Sequence, residues 1–411
     1  MRLPFSCALI SAFAGIAAAA LPSSLHMLES LMARDQGVTS SGAVTSTLES
    51  GLLAIALASA VSQYPDAPST SKYTDYLAKV LAAVAPDLRD ATRDATKPLD
   101  RFSIHTGIDG ARAVHTPIND DGAAASAIGA AYAAINASLA LQTRNPDGGL
   151  WYYVYPEWSY LDGLFSLLPF MASAVEPNYT DMALQVRLLA KHCYDSPSGL
   201  YLHGYDWSRK AVWANAETGA SPYVWGRSLG WFLAGLVQTW ETMDCASDRK
   251  NSDGERDALC AEMKRIVGGT APRLVSYADS ATGAWWQLPT LGSRSGNFLE
   301  SSSTALFIFS LLKAQRLDLL AGAGSAQCCG DGCGDGDKIQ KAALRAYDYA
   351  KTNFVTESGN GTIGFDKTVA VCSLNSTATF EYYTSRPLVP NGLLGEAAFV
   401  LASLEVEKLA A

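Results

Sequence analysis

The run Leu161-Asp-Gly-Leu-Phe-Ser-Leu-Leu-Pro-Phe-Met-Ala-Ser-Ala174 decides the fold. It has helical length and is apolar on nearly every side. A helix that is apolar all round is buried all round. Residues 229–237 and 305–312 repeat the pattern. A second kind of helix alternates with these. Tyr179, Met182, Ala183, Val186, Leu189 and Ala190 follow the i, i+3, i+4, i+7 rule, as do Ile339, Ala343, Ala346, Tyr347 and Ala350. Such helices keep one wet face. Buried and half-buried helices joined by loops predict an all-α fold of two concentric layers. About ten to twelve helices are expected, with ends good to a few residues. Strand-like pieces are short. Residues 199–205 and 211–214 are expected to pair as a hairpin across the polar turn at 206–210, and 285–288 is another extended piece. No G-x-G-x-x-G follows a strand, which argues against a nucleotide-binding sheet.

Composition narrows the function. The chain has 411 residues, 48% of them hydrophobic and 17% charged, and a net charge of −9. An average soluble domain carries about 25% charged residues. Such a chain buries a core, so it is not disordered. Its acidity argues against a nucleic-acid partner, which needs clustered Lys and Arg. Beyond the N-terminus no stretch of about 18 unbroken apolar residues occurs, so no membrane span or membrane partner is expected. Residues 1–20 read as a secretory signal: Arg2, an apolar tract, and Ala18-Ala19-Ala20 before Leu21-Pro22. Residues 21–411 are then expected to form one secreted, extracellular domain. Sequons at Asn136, Asn178, Asn360 and Asn375 fit that route, and so does the cysteine usage. Cys245 and Cys260 flank a polar, Asp-rich stretch and are candidates to close it. Cys328, Cys329 and Cys333 sit in the Gly-rich segment 321–336, where their pairing stays open. The spaced Asp331, Asp335 and Asp337 lack the Glu that closes an EF-hand, so a solvated loop is expected there rather than a calcium site.

The motif inventory excludes several chemistries. There are five histidines, no H-E-x-x-H and no paired C-x-x-C, so no metal is expected. The G-x-S-x-G elbow and the P-loop are absent as well, and no other cofactor is expected. What remains is aromatic residues beside sparse charges. Trp151, Tyr152, Tyr153, Tyr155, Trp158 and Tyr160 lead into Asp162; His203, Tyr205, Asp206, Trp207, Trp213, Tyr223, Trp225, Arg227 and Trp231 follow. Flat rings beside a few fixed polar groups suit a sugar cleft, because pyranose faces stack on rings while hydroxyls need directional partners.

These residues carry a resemblance. The order Trp158-Ser-Tyr-Leu-Asp162-Gly, His203-Gly-Tyr-Asp206, Ser221-Pro-Tyr-Val-Trp-Gly-Arg-Ser-Leu-Gly-Trp231, Trp286-Gln287 and Gly296-Asn-Phe-Leu-Glu-Ser-Ser302 resembles the unsaturated rhamnogalacturonyl hydrolases of glycoside hydrolase family 105. These are related to the unsaturated glucuronyl hydrolases of family 88. The resemblance runs from about residue 98 to residue 407, and the W-G-R-x-x-G-W block is its most specific part. It implies an (α/α)6 barrel with short β-hairpins in its loops. It also implies a substrate, a lyase-generated oligosaccharide ending in a 4,5-unsaturated uronic acid.

The resemblance distributes roles. Asp162 is implied as the acid/base; an Asp capping the start of a helix is the structural alternative. A second Asp is implied before a helix, and Asp120 matches best, with Asp121 as its competitor. Arg227 is implied to grip a carboxylate, which a planar guanidinium does bidentately. Trp225, Trp231 and Trp158 are implied as stacking faces and His203 as a hydrogen-bond partner of the sugar. Glu300 reads as a cap or brace. Ser166 departs from the Met common in the family, and the loop from Cys328 to Asp337 lies outside the shared pattern. Two other functions compete: an inverting glycosidase using Asp120 and Asp162, whose carboxyls would lie roughly 6.5–9.5 Å apart, and a non-catalytic sugar-binding barrel.

Overall fold

The computed structural model describes residues 21–410, except 44, 89–98, 117, 119–121, 154, 156, 248–253 and 321–334. The signal segment, Asp120, Asp121, Asp331 and the cysteines at 328, 329 and 333 lie outside the described residues.

The apolar runs fold as helices. In chain order these are α1 (Ser23–Ala33), α2 (Ser46–Gln63), α3 (Thr70–Leu88), α4 (Phe102–Ala113), α5 (Ala123–Ser138), α6 (Gly163–Ala172) and α7 (Tyr179–Cys193). Then come α8 (Gly226–Thr242), α9 (Gly254–Ser276), α10 (Ser301–Arg316), α11 (Asp335–Asn353), the single turn α12 (Phe380–Thr384) and α13 (Leu393–Lys408). Every residue of α6 is buried, and so are 301–314 of α10 and 393–405 of α13. Such helices have no outward face, which explains why their sequences carry no polar stripe.

Packing closes the inner layer. Helix α2 packs on α4, α4 on α6, α6 on α8, α8 on α10, α10 on α13, and α13 returns to α2. Helices α1, α3, α5, α7, α9 and α11 lie outside this ring. The two expected layers are therefore a six-hairpin (α/α)6 barrel. Close approach within the ring depends on small residues. A Cβ at Gly235 on α8 would lie 2.6 Å from the Leu164 carbonyl oxygen of α6. Each fully buried Leu or Phe in this ring contributes about 1.5–3 kcal/mol relative to exposure.

Residues 123–141 are long and apolar enough to cross a membrane by length and composition. Here they form α5 and a following 3-10 turn, with α5 packed on α3 and α4.

The strands are short and pair differently from the expected hairpin. Strand β1 (Trp158–Tyr160) pairs antiparallel with β4 (Gly204–Asp206), and β2 (Tyr194–Asp195) with β3 (Leu200–Tyr201). The third pair is β5 (Val355–Glu357) with β6 (Ile363–Phe365). Residues 211–214 form no strand. The Asp206 carboxylate accepts the N–H groups of Ser208, Lys210 and Ala211 at 2.8, 2.8 and 2.7 Å, which curls the chain after β4. Side-chain capture of successive amides competes directly with ladder formation. At 285–288 only an isolated bridge forms, Trp286 to Leu299.

Candidate active site

The N-terminal ends of the inner helices meet at one end of the barrel. Thr45 precedes α2, Asp100 lies in the 3-10 turn before α4, and Asp162, Trp225, Glu300 and Gly392 precede α6, α8, α10 and α13. Helix N-termini carry partial positive charge and free N–H groups, so their convergence favours an anionic ligand. A cavity of about 200 Å³ opens there, walled by Asp100, Tyr152, Tyr160, Asp162, Trp225 and Trp231 among others. It shares Thr45, Arg227, Val371 and Leu394 with a wider trough of about 670 Å³. Hydroxyls of Thr39, Ser40, Ser41 and Ser46 line that trough, together with Arg386.

Asp162 stands at the cap position of α6, yet its side chain makes no capping hydrogen bond. The carboxylate turns instead to α8, where the Ser228 hydroxyl donates to Oδ2. His203 Nε2 lies 3.4 Å from the same oxygen. The His203 ring is wholly buried and its Nδ1 bonds the Tyr383 hydroxyl at 2.7 Å. His203 therefore backs Asp162 and is absent from the cavity wall.

Asp100 is the second carboxyl of the cavity. It is buried, and Tyr152 donates its hydroxyl to Oδ1 at 2.9 Å. Burial pushes its pKa up to about 7; the Tyr152 hydrogen bond and Arg101 act the other way, and the negative charge of Asp162 adds to the rise. Asp120 and Asp121 lie outside the described residues; among the described residues, the carboxyl that lines the cavity with Asp162 is Asp100. In the sequence, nothing about Asp100-Arg101 marks it as part of a site. The overlooked signal is Arg101 itself. It is buried, donates to Ser138 and Gln142, and lies over the Phe102 ring, which anchors the turn that carries Asp100.

Trp225 and Trp231 both line the cavity. The Trp225 indole N–H donates to Gln287 Oε1 at 3.1 Å, which sets its ring, and Trp231 leans on Phe165 at 4.6 Å between centroids. The W-G-R-x-x-G-W spacing has a packing cause: a Cβ at Gly230 would sit 2.8 Å from Leu306 Cβ on α10. Trp158 packs edge-on against Trp213 and beside Tyr155; it is Tyr155 that reaches the cavity wall.

Arg227 reaches the wall, but its fork is committed. Nη1 donates to the Val369 carbonyl at 2.6 Å and to Ser302 Oγ at 3.2 Å, and Nη2 donates to the Ala370 carbonyl at 2.9 Å. Glu300 completes this brace. It caps α10 through the N–H groups of Ser302 and Ser303 and accepts the Val369 N–H at 2.9 Å. Arg227 and Glu300 thus hold the 369–373 segment, which forms one wall of the cavity. Arg386 spends only Nε, on the Val371 carbonyl. Its two terminal nitrogens have no partner among the described residues. Among the described residues no cluster suited to a metal ion occurs.

The profile of Glycosyl Hydrolase Family 88 matches residues 56–410. The chain belongs to glycosyl hydrolase family 88. A family 105 glycoside hydrolase from C. acetobutylicum is similar in structure, with a TM-score of 0.77 and 25% identity, covering 94% of this chain and 100% of that one. The unsaturated glucuronyl hydrolase of Bacillus sp. GL1, described as responsible for glycosaminoglycan degradation, shares the fold at TM-score 0.58 and 12% identity, over 94% of this chain and 95% of that one. Protein Atu3128 of Agrobacterium fabrum is 35% identical over 124 residues, 30% of this chain and 48% of that protein. The chain spans about half the length of that curated relative, whereas the family 88 match runs over most of the barrel described above.

Proposed function

We propose that the protein is an unsaturated uronyl hydrolase. It removes a 4,5-unsaturated uronic acid from the non-reducing end of lyase-generated oligosaccharides. The observation that carries this reading is Asp162, a carboxyl at a helix cap position that does not cap and is aimed into an aromatic-walled cavity beside a second carboxyl. Family membership and the C. acetobutylicum relative support the same class.

The chemistry uses that pair. The C4–C5 double bond of the substrate is an enol ether. Asp162 donates a proton to C4, and positive charge develops at C5, shared with the ring oxygen. Water adds to C5 and returns a proton to Asp162. The resulting hemiketal opens to a ketone at C5. C1, now a hemiacetal, expels the aglycone, and one water is consumed in all. Burial, with the charge of Asp162 adding to it, pushes the Asp100 pKa up to about 7, so Asp100 holds a proton near neutral pH. Asp100 is the partner that keeps that proton available. Ser228 and His203 fix the Asp162 carboxylate, and Trp225 and Trp231 offer ring faces to the sugar.

The small cavity takes the unsaturated ring and the hydroxyl-lined trough takes the next sugar. By family likeness that sugar is rhamnose, as in pectic rhamnogalacturonan. The disulfide Cys245–Cys260 supports an oxidising, extracellular setting.

Turnover in deuterium oxide tests the reaction class. The released keto acid is expected to carry deuterium at C4. Cleavage of saturated glycosides with no deuterium on carbon would identify an inverting glycosidase instead. A panel of unsaturated disaccharides tests the substrate: uronyl-rhamnose is expected to give the highest kcat/KM, and a clear preference for a hexosamine aglycone contradicts it.

A further inference from the structure

A second groove lies between the outer helices α7 and α9, with a volume of about 450 Å³. Its walls share no residue with the cavity or the trough. On α7 it presents Arg187 and Lys191, four residues apart on one face. On α9 it presents Arg265 and Arg273, with Gly269 midway between them and open space where a Cβ would stand. All four cations are exposed. Like charges spaced i, i+4, as Arg187 and Lys191 are, oppose helix formation, and here that pair faces two further cations on α9.

Folding supplies little compensation. Glu262 is the one carboxylate lining the groove, and it is taken by Arg265, whose Nε and Nη2 donate to it at 3.1 and 2.7 Å. Arg187, Lys191 and Arg273 make no side-chain hydrogen bond or ion pair among the described residues, and Arg187 shares only the longer-range attraction of Glu262. Arg273 is nonetheless positioned, because its stem lies over Gly199, where a Cβ would come within 3.0 Å of Cγ. Tyr194 stands at the groove with half its surface exposed and leans on the buried Tyr201 at 5.4 Å between centroids. In a chain of net charge −9, a groove with four cations, one carboxylate and an exposed ring is a local exception.

We propose that this groove is a second carbohydrate site, which holds a stretch of uronate-bearing pectic chain. Carboxylates along that chain lie on Arg187, Lys191 and Arg273, and a pyranose face stacks on Tyr194. The proposal rests on the uronate substrate class proposed above: the polymer whose ends the cavity processes also supplies the chain that the groove holds. It gives an acidic protein a local means of staying on an acidic polymer, which net charge alone opposes.

Saturated oligogalacturonate, titrated calorimetrically against the full chain, is the probe. The wild type is expected to bind it, more weakly as salt rises. The triple variant Arg187→Glu, Lys191→Glu, Arg273→Glu is expected to lose at least tenfold in affinity, and Tyr194→Ala to lose severalfold. Both are expected to keep wild-type kcat/KM on an unsaturated disaccharide. Unchanged oligogalacturonate affinity in the triple variant, or equal affinity of the wild type for inorganic polyphosphate or phosphatidylserine vesicles, overturns the assignment. The two readings fail separately. Loss of oligogalacturonate binding in the triple variant upholds the groove even if the wild type turns over no unsaturated disaccharide, and such turnover does not rescue a groove that fails to bind.

Discussion

Asp162 illustrates what one residue can and cannot reveal in a sequence. The Asp-Gly step before an apolar run marks a helix start, and an Asp there usually caps. Only the fold shows that Ser228 and His203 turn the carboxylate away from the cap. Asp162→Asn is expected to keep oligosaccharide binding while turnover falls about 10²–10⁴-fold, the range for a lost general acid. Calorimetry and initial rates on the same preparation check both halves. Asp100 was hidden because its partner, Tyr152, is 52 residues away in sequence. Its carboxyl is pushed up to about 7, chiefly by burial. Asp100 therefore loses its proton as pH rises through about 7, and kcat is expected to fall along that limb. Asp100→Asn is expected to lower kcat and abolish the limb; a pH–rate profile that keeps its alkaline limb in the variant contradicts the role given to Asp100.

At the scale of elements, the buried helices were legible because burial on every side leaves a plain apolar signature. The wet-faced α7 and α11 were legible from their periodicity. The strands were not. The sequence around 199–214 has strand-forming residues on both sides of a polar turn, but Asp206 captures the amides that a hairpin needs. Glu300 was readable as a brace, whereas the task of Arg227 required the 369–370 carbonyls to be in place. These two residues and α10 form one unit. Glu300→Gln keeps the size and halves the acceptor strength at the cap. It is expected to destabilise the protein by about 1–3 kcal/mol, as for a weakened buried charge-assisted bond. KM is expected to rise more than kcat falls, because the cavity wall loosens while Asp162 stays held by α8. Thermal unfolding and steady-state kinetics measure the two effects.

The whole molecule explains its own low charge. A closed inner ring leaves most charged groups to the outer helices and loops, so 17% charged residues suffice. It also explains how an acidic chain receives an acidic sugar: six helix N-termini face the cavity region, and their field acts locally where net charge acts at long range. Away from the site, Cys245–Cys260 closes a loop of sequence separation 15 between the end of α8 and α9. A loop of that length corresponds to about 3 kcal/mol of stabilisation in the chain-entropy account. Cys245→Ala with Cys260→Ala is expected to lower the midpoint of denaturant unfolding by a corresponding amount and to leave kcat unchanged, since neither cysteine lines the cavity. The central claim is that this barrel hydrates a C4–C5 double bond through Asp162. The most direct measurement is the ultraviolet absorbance of an unsaturated uronyl disaccharide during incubation with the wild type and with Asp162→Asn. The absorbance is expected to decay with the wild type and to persist with the variant. Decay at equal rates with both proteins, or persistence with the wild type while saturated glycosides are cleaved, contradicts the claim.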